Sequence, residues 1–164
     1  MVTIFLYGRS RVHQHLHQLL KHWIIGVYMH RFLNVEPVNA LKNPILSERA
    51  KRAHGGRSQE FVAVVNGEEA GLLSYEDWSH QSVGFIYEIF VLPKFRQQGI
   101  GELLLSYAES QALRLHCTYI RLKPYPLDKE TERERLVAWY TKNSYFQKPA
   151  EPDIMEKDLT TKSA

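Results

Sequence analysis

The sequence predicts a mixed α/β domain, with antiparallel strands in its first half and a parallel pair further on. Three observations carry this reading. Two strand-like runs, "EFVAVV" and "AGLLSYEDW", flank Asn66-Gly67, a dipeptide suited to the tight hairpin turn between antiparallel strands. A third run, "VGFIYEIFVL", follows the short turn "WSHQS" and extends the antiparallel series. At Ile100 the apolar spacing then becomes helical, and "CTYIRL" returns to strand character. A strand–helix–strand passage from 83 to 123 implies two parallel neighbours.

Taken in order, Val2 to Tyr7 reads as a strand closed by Gly8. Ser10 is a suitable N-cap for a helix reaching about Ile25, with Val12, Leu16, Leu19, Leu20 and Trp23 on its apolar face. A second helix is expected between Val38 and Ala53, ended by "HGGRS". The three strands described above follow. From Ile100 the positions Leu103, Leu104, Tyr107, Ala108, Ala112 and Leu115 mark one helical stripe, interrupted only by the polar Gln111. Pro124 and Pro126 stop "CTYIRL", "TERERLVAWYTKN" forms a charged helix, and "DIMEKDL" is the last strand. No repeat, low-complexity tract or linker divides the chain, so residues 1–164 are expected to form a single domain, a length that can bury a sizeable core.

Composition narrows the function classes. The formal net charge of +3 suits an anionic ligand and does not argue for nucleic acid. Cys117 is the only cysteine, which excludes an internal disulfide and a cysteine-based zinc site and fits a reducing compartment. The start "MVTIFLYGRSR" lacks the charge order of a secretory signal, and no apolar run is long enough to span a membrane. A cytoplasmic protein with no membrane partner is the expectation.

The stretch "VLPKFRQQGIGELLL" carries the first chemical signal. Pro93 ends a strand, Gly99 and Gly101 permit close backbone approach, and the helix that follows presents unpaired N–H groups and its positive dipole end. These make a backbone anion site, with Lys94 and Arg96 nearby to add charge. A plain strand-to-helix turn would use the same glycines. Leu104 breaks the full GxGxxG pattern, and no Gly-Lys-Ser/Thr follows.

Val91-x-Pro93-x-x-Arg96-Gln97-Gln98-Gly99-Ile100-Gly101-x-x-Leu104 resembles the acyl-CoA binding motif of the GNAT superfamily of N-acyltransferases. "AWYTKNSYF", residues 138–146, is similar to that family's aromatic-Tyr-x-Lys-x-Gly-Phe segment, with Ser144 in the glycine position and Tyr145 in place of phenylalanine. The order of elements also agrees with the family. The resemblance implies a GNAT-like mixed sheet, with a parallel pair at a splayed centre and helices flanking it. It implies that backbone amides of Gln97, Gln98, Gly99, Ile100 and Gly101 hold the pyrophosphate of acetyl-CoA, with Arg96 opening the motif. Phe90 and Val91 would then lie beside the acyl group, the Val91 N–H steadying the oxyanion of a tetrahedral intermediate.

Two side chains are candidate catalytic groups. Glu88 stands in a strand otherwise almost free of charge, and period two gives it Gly84, Ile86, Phe90 and Leu92 as face-mates. A carboxylate there is either a base, its affinity for protons raised by apolar surroundings, or half of an ion pair with Arg121 or Lys123. An amine must shed a proton to attack a thioester, and many members of the family place an acidic base on this strand. Tyr140 matches the family tyrosine that protonates the departing coenzyme A thiolate; a packing role one turn beyond Leu136 is the alternative. Arg133 and Tyr125 are further candidates, for a phosphate contact and for the acceptor pocket.

The remaining features carry less. His13 and His17 have metal-pair spacing without an acidic partner and read as a solvated helix face, so no metal is expected. "ERAKRAHGGR" reads as an exposed basic helix, and Cys117 as a small buried hydrophobe. The resemblance therefore implies an N-acetyltransferase moving an acetyl group from acetyl-CoA to a primary amine, on a small molecule or a peptide, by direct attack in a ternary complex that leaves coenzyme A. A homodimer is the common assembly for small enzymes. The rivals are a non-catalytic acyl-CoA-binding sensor or interaction module and a nucleotide-binding α/β domain.

Overall fold

A computed structural model of the chain describes residues 31–34, as backbone, and residues 41–160. All of these belong to one compact unit that begins at Arg31. The strand expected at Val2–Tyr7 and the helix at Ser10–Ile25, with His13 and His17, lie outside the described residues.

The elements run β1 (Arg31–Asn34), α1 (Pro44–Ala53), β2 (Ser58–Val65), β3 (Glu68–Trp78), β4 (Val83–Val91), α2 (Ile100–Arg114), β5 (Tyr119–Leu122), α3 (Arg133–Lys142), β6 (Phe146–Lys148) and β7 (Glu151–Asp158). They build a seven-stranded sheet in the order β1-β2-β3-β4-β5-β7-β6. The pair β4–β5 is parallel, and the other pairs are antiparallel. Asn66 and Gly67 both adopt positive φ, 51° and 81°, as the expected two-residue hairpin requires. Strands β1 and β6 were not expected: at four and three residues they are too short for a period to emerge. Helix α1 begins at Pro44, later than expected. The Asn43 side chain caps it by accepting from the Ile45 and Leu46 amides, and proline at the first helical position needs no hydrogen-bond donor.

The two sheet faces carry different helices. A Cβ at Gly71 would meet Leu104 and Ile100 of α2, so Val91, opposite Gly71, shares the α2 side. Phe90, one residue earlier, faces α1, whose Arg49 guanidinium lies 3.7 Å from its ring centre. Leu46 and Ala50 of α1, and Leu104, Leu105, Ala108 and Ala112 of α2, are buried against these faces.

A β-bulge corrects the expected face of Glu88. Ser74 pairs with Glu88 and Tyr75 with Ile86, which leaves Tyr87 as an extra residue in β4. Gly84 and Ile86 therefore lie on the α2 side, where a Cβ on Gly84 would press on Tyr75 and Ala112. Glu88 and Phe90 are turned to the α1 side.

Candidate active site

Strands β4 and β5 pair from Val83–Tyr119 to Ile86–Leu122 and then part, while β4 continues to Val91. On its other edge β4 stays paired with β3 to the end, where the Leu92 amide donates to Ala70 O at 2.9 Å. Alternation along an antiparallel strand then directs the Ile89 and Val91 amides into the gap. The structure thus opens a central strand without exposing a sheet edge at the rim. The Val91 carbonyl accepts from Arg96 Nε at 3.2 Å.

The gap is a cleft of about 200 Å³ whose walls include Glu88, Phe90, Val91, Arg96, Gly101 and Tyr140. A second hollow continues from Val91 past Gln97, Gly99 and Ile100 to Gly101 and Trp139. These two cavities bring together the expected site residues except Gln98, whose side chain instead donates to the Lys94 carbonyl at 2.9 Å. Gln97 at φ 60° and Gly99 at φ 78° place two left-handed residues within three positions, a geometry that turns successive N–H groups toward one point. Helix α2 begins there without a side-chain cap. Its first N–H groups are therefore left for a ligand. Gly101 packs closely under α3: a Cβ would stand 3.3 Å from Trp139 Cζ2. The same indole donates to Glu102 Oε1 at 2.8 Å.

The basic side chains near this corner are already engaged. Arg96 is clasped by Asp128, and by Glu130 at 3.1 Å, while Lys94 pairs with Glu68. Burial works against the charge of Asp128, but hydrogen bonds from Thr131 and Arg96 outweigh it and hold the carboxyl below its usual range. Main-chain N–H groups are thus the donors left open at the corner, and Arg96 ties the segment after β5 to the end of β4. Arg133 is not among the cleft residues; it pairs with Asp153 at 3.7 Å.

Glu88 is in an ion pair, though not with Arg121 or Lys123. Arg49 Nη1 donates to Glu88 Oε1 at 2.7 Å, and Arg49 Nη2 donates to the Leu127 carbonyl at 2.9 Å. The two side chains are 11% and 9% exposed, so the pair is nearly dry. Glu88 Oε2 takes no hydrogen bond from any described residue. Arg121 instead holds Glu156, and Lys123 holds Asp153. "ERAKRAHGGR" is therefore an exposed basic stretch with an inward arginine, signalled by Arg49 standing between the buried Leu46 and Ala50.

Tyr140 is buried on α3, edge-on to Trp139 and Tyr145, with ring centres at 4.7 Å and 5.8 Å. Burial pushes its phenol well above the usual range, so it keeps its proton at every ordinary pH. Cys117 is buried and its thiol is pushed up by burial, which leaves it unreactive. Arg49, Trp139 and Asp128 are the site residues that sequence reasoning missed.

A splayed central strand running into a helix N-terminus has the form of an acyl-group transferase cleft. The Acetyltransferase (GNAT) family model matches residues 16–145, and the chain belongs to that family. An uncharacterised N-acetyltransferase of Archaeoglobus fulgidus is 40% identical over 58 residues, a match spanning 32% of this chain and 40% of that protein. A candidate acyl-CoA N-acyltransferase from Klebsiella pneumoniae superposes with a TM-score of 0.59 at 22% identity, covering 80% of this chain and 99% of that one. An aminoglycoside 6'-N-acetyltransferase complexed with coenzyme A superposes with a TM-score of 0.58 at 15% identity, over 82% of this chain and 99% of that one. At these identities the two structural likenesses are likenesses of fold. Among the described residues no helix is long and apolar enough to cross a membrane.

Proposed function

We propose that the protein transfers an acetyl group from acetyl-CoA to a primary amine by direct attack in a ternary complex. The observation that carries this is a pair of backbone donor sets at the two ends of one hollow, the uncapped start of α2 and the Ile89 and Val91 amides in the gap. A phosphate chain ending in an amide-bearing arm matches that pair in charge and in hydrogen-bonding pattern. Acetyl-CoA supplies the activated thioester. Gln97 to Gly101 hold its phosphates through main chain, and the open edge of β4 pairs with its arm. The Val91 N–H faces the developing negative charge on oxygen.

Glu88 takes the proton from the amine at Oε2, directly or through a water, while Arg49 fixes the carboxylate through Oε1. Tyr140 keeps a proton available for the departing sulfur. Phe90, beneath the Arg49 guanidinium, lines the cleft beside the acetyl group.

Release of free thiol on mixing the protein with acetyl-CoA and an amine tests the reading. Glu88→Gln is expected to lower turnover by about 100-fold, with acetyl-CoA binding intact. Tyr140→Phe is expected to lower turnover more than acetyl-CoA affinity. Thermal stabilisation by ATP or NAD but not by acetyl-CoA would overturn the proposal, and acetyl-CoA binding without thiol release for any amine would leave a sensor.

A further inference from the structure

The bulge in β4 has a chemical consequence at the mouth of the cleft. It turns Tyr87 outward in the middle of a central strand, where the ring is 52% exposed. Across the gap Tyr125, held between Pro124 and Pro126, is 68% exposed. Both rings line the same cleft, and neither makes a hydrogen bond or ring contact with a described residue. Bulges of this kind re-aim side chains beside active sites, and two open phenol rings at a cleft mouth offer flat apolar contact.

The charges of the cleft complete the picture. Its lining carboxylates are Glu88 and Asp128, and each is engaged by a guanidinium, from Arg49 and Arg96 respectively. Lys123, the other lining cation, is occupied by Asp153. No carboxylate is left over in the lining to receive a second ammonium group, and a second cation brought into the cleft would lose hydration without gaining a partner.

We infer that the acceptor is a singly charged primary amine carrying a planar apolar group a short distance from its nitrogen, with that group held between Tyr87 and Tyr125. The ring faces also favour arrival of the amine as its ammonium form. Before attack the ammonium passes one proton to Glu88 Oε2. The neutral nitrogen then bonds to the thioester carbon as the carbon–sulfur bond breaks, and coenzyme A leaves as its thiol with the Tyr140 proton. The proton that nitrogen sheds on becoming an amide restores Tyr140. This inference rests on the acetyl-transfer reading for the chemistry, but the aromatic mouth binds amine with or without acyl donor.

The test therefore has a binding arm and a turnover arm. Phenethylamine, a peptide beginning with phenylalanine, butylamine and spermidine are each titrated into the intact protein without acetyl-CoA, and contact is read by saturation-transfer NMR. Thiol release is then measured for the same four. The expected result is contact through the aromatic protons and a kcat/KM for phenethylamine or the phenylalanyl peptide about 10-fold or more above spermidine. Success with the peptide but not the free amine keeps the inference and identifies the source as a peptide N-terminus. Tyr87→Ala and Tyr125→Ala, both at exposed positions, are each expected to lower that kcat/KM several-fold with the KM for acetyl-CoA unchanged, and the corresponding phenylalanine variants to retain it.

Preference for spermidine or butylamine overturns the inference, as does a Tyr87→Ala, Tyr125→Ala double variant that keeps full kcat/KM for the aromatic amine. Aromatic contact that Tyr87→Ala abolishes, with no thiol released from any amine, supports the aromatic mouth and overturns acetyl transfer instead.

Discussion

Gly84 sits where the sheet has no room beneath α2. A Cβ there would lie 2.4 Å from Tyr75 Oη and 2.9 Å from the Ala112 side chain. Gly84→Ala is expected to destabilise the protein by about 1–3 kcal/mol, read from denaturant unfolding, because both neighbours are buried and cannot withdraw. Gly99 makes the opposite case. Nothing lies within 4 Å of a Cβ there, but its φ of 78° is left-handed. Gly99→Ala is expected to cost about 1 kcal/mol of backbone strain and to weaken acetyl-CoA binding, because relief of the strain would swing the first amides of α2 out of line. The two glycines serve packing in one place and backbone direction in the other, and the sequence presents both as the same letter.

At the scale of elements, the contact of α1 with β4 depends on the row Glu60–Ser74–Glu88, three residues directly opposite one another across β2, β3 and β4. Arg49 Nε, Glu60 Oε1 and Ser74 Oγ are buried without a hydrogen-bond partner among the described residues, a pattern that calls for ordered water between helix and sheet. Ser74→Ala is expected to change stability by under about 1 kcal/mol, since that hydroxyl surrenders no protein hydrogen bond. Arg49→Met strands a buried carboxylate and is expected to cost about 3 kcal/mol or more, most of it recovered when Glu88→Gln is added. The double-mutant cycle, followed by urea unfolding, reads that coupling directly. These same elements separate what the sequence reveals from what it hides. The Asn66-Gly67 hairpin, the Ile100 stripe and the glycine corner are local, because neighbouring residues alone decide backbone conformation there. The β4 bulge is set by pairing with β3, so a period counted along Gly84, Ile86 and Glu88 passes over it. The ion pair joins residues 39 apart: Arg49 reads in sequence as part of an exposed basic helix, and the partners that suggest themselves for Glu88 are Arg121 and Lys123. The site was legible where it is built from main chain and hidden where it is built from distant side chains.

Across the described residues, three of the seven tyrosines, Tyr75, Tyr140 and Tyr145, are buried, and burial raises all three phenols above their usual range; beside Tyr145 the Glu109 carboxylate adds to the effect. Raised folded-state values mean that the neutral forms contribute stability fully below the unfolded value of about 10, and that this is lost as pH rises toward the folded values. Stability is expected to fall above pH ~10 by up to about 1.4 kcal/mol per pH unit for each of the three. In a spectrophotometric titration their phenolate absorbance is expected to appear only together with loss of the folded circular dichroism signal. The parting of β4 from β5 acts on the same scale. Four residue pairs, the overlying α2 and the side chains of Arg49 and Arg96 join the part of the sheet that ends in β4 to the part that begins with β5. Anything that lays a backbone-like chain along Ile89 and Val91 becomes the strand that the polypeptide itself leaves out. Filling the cleft and completing the hydrogen bonding of the sheet are then a single event.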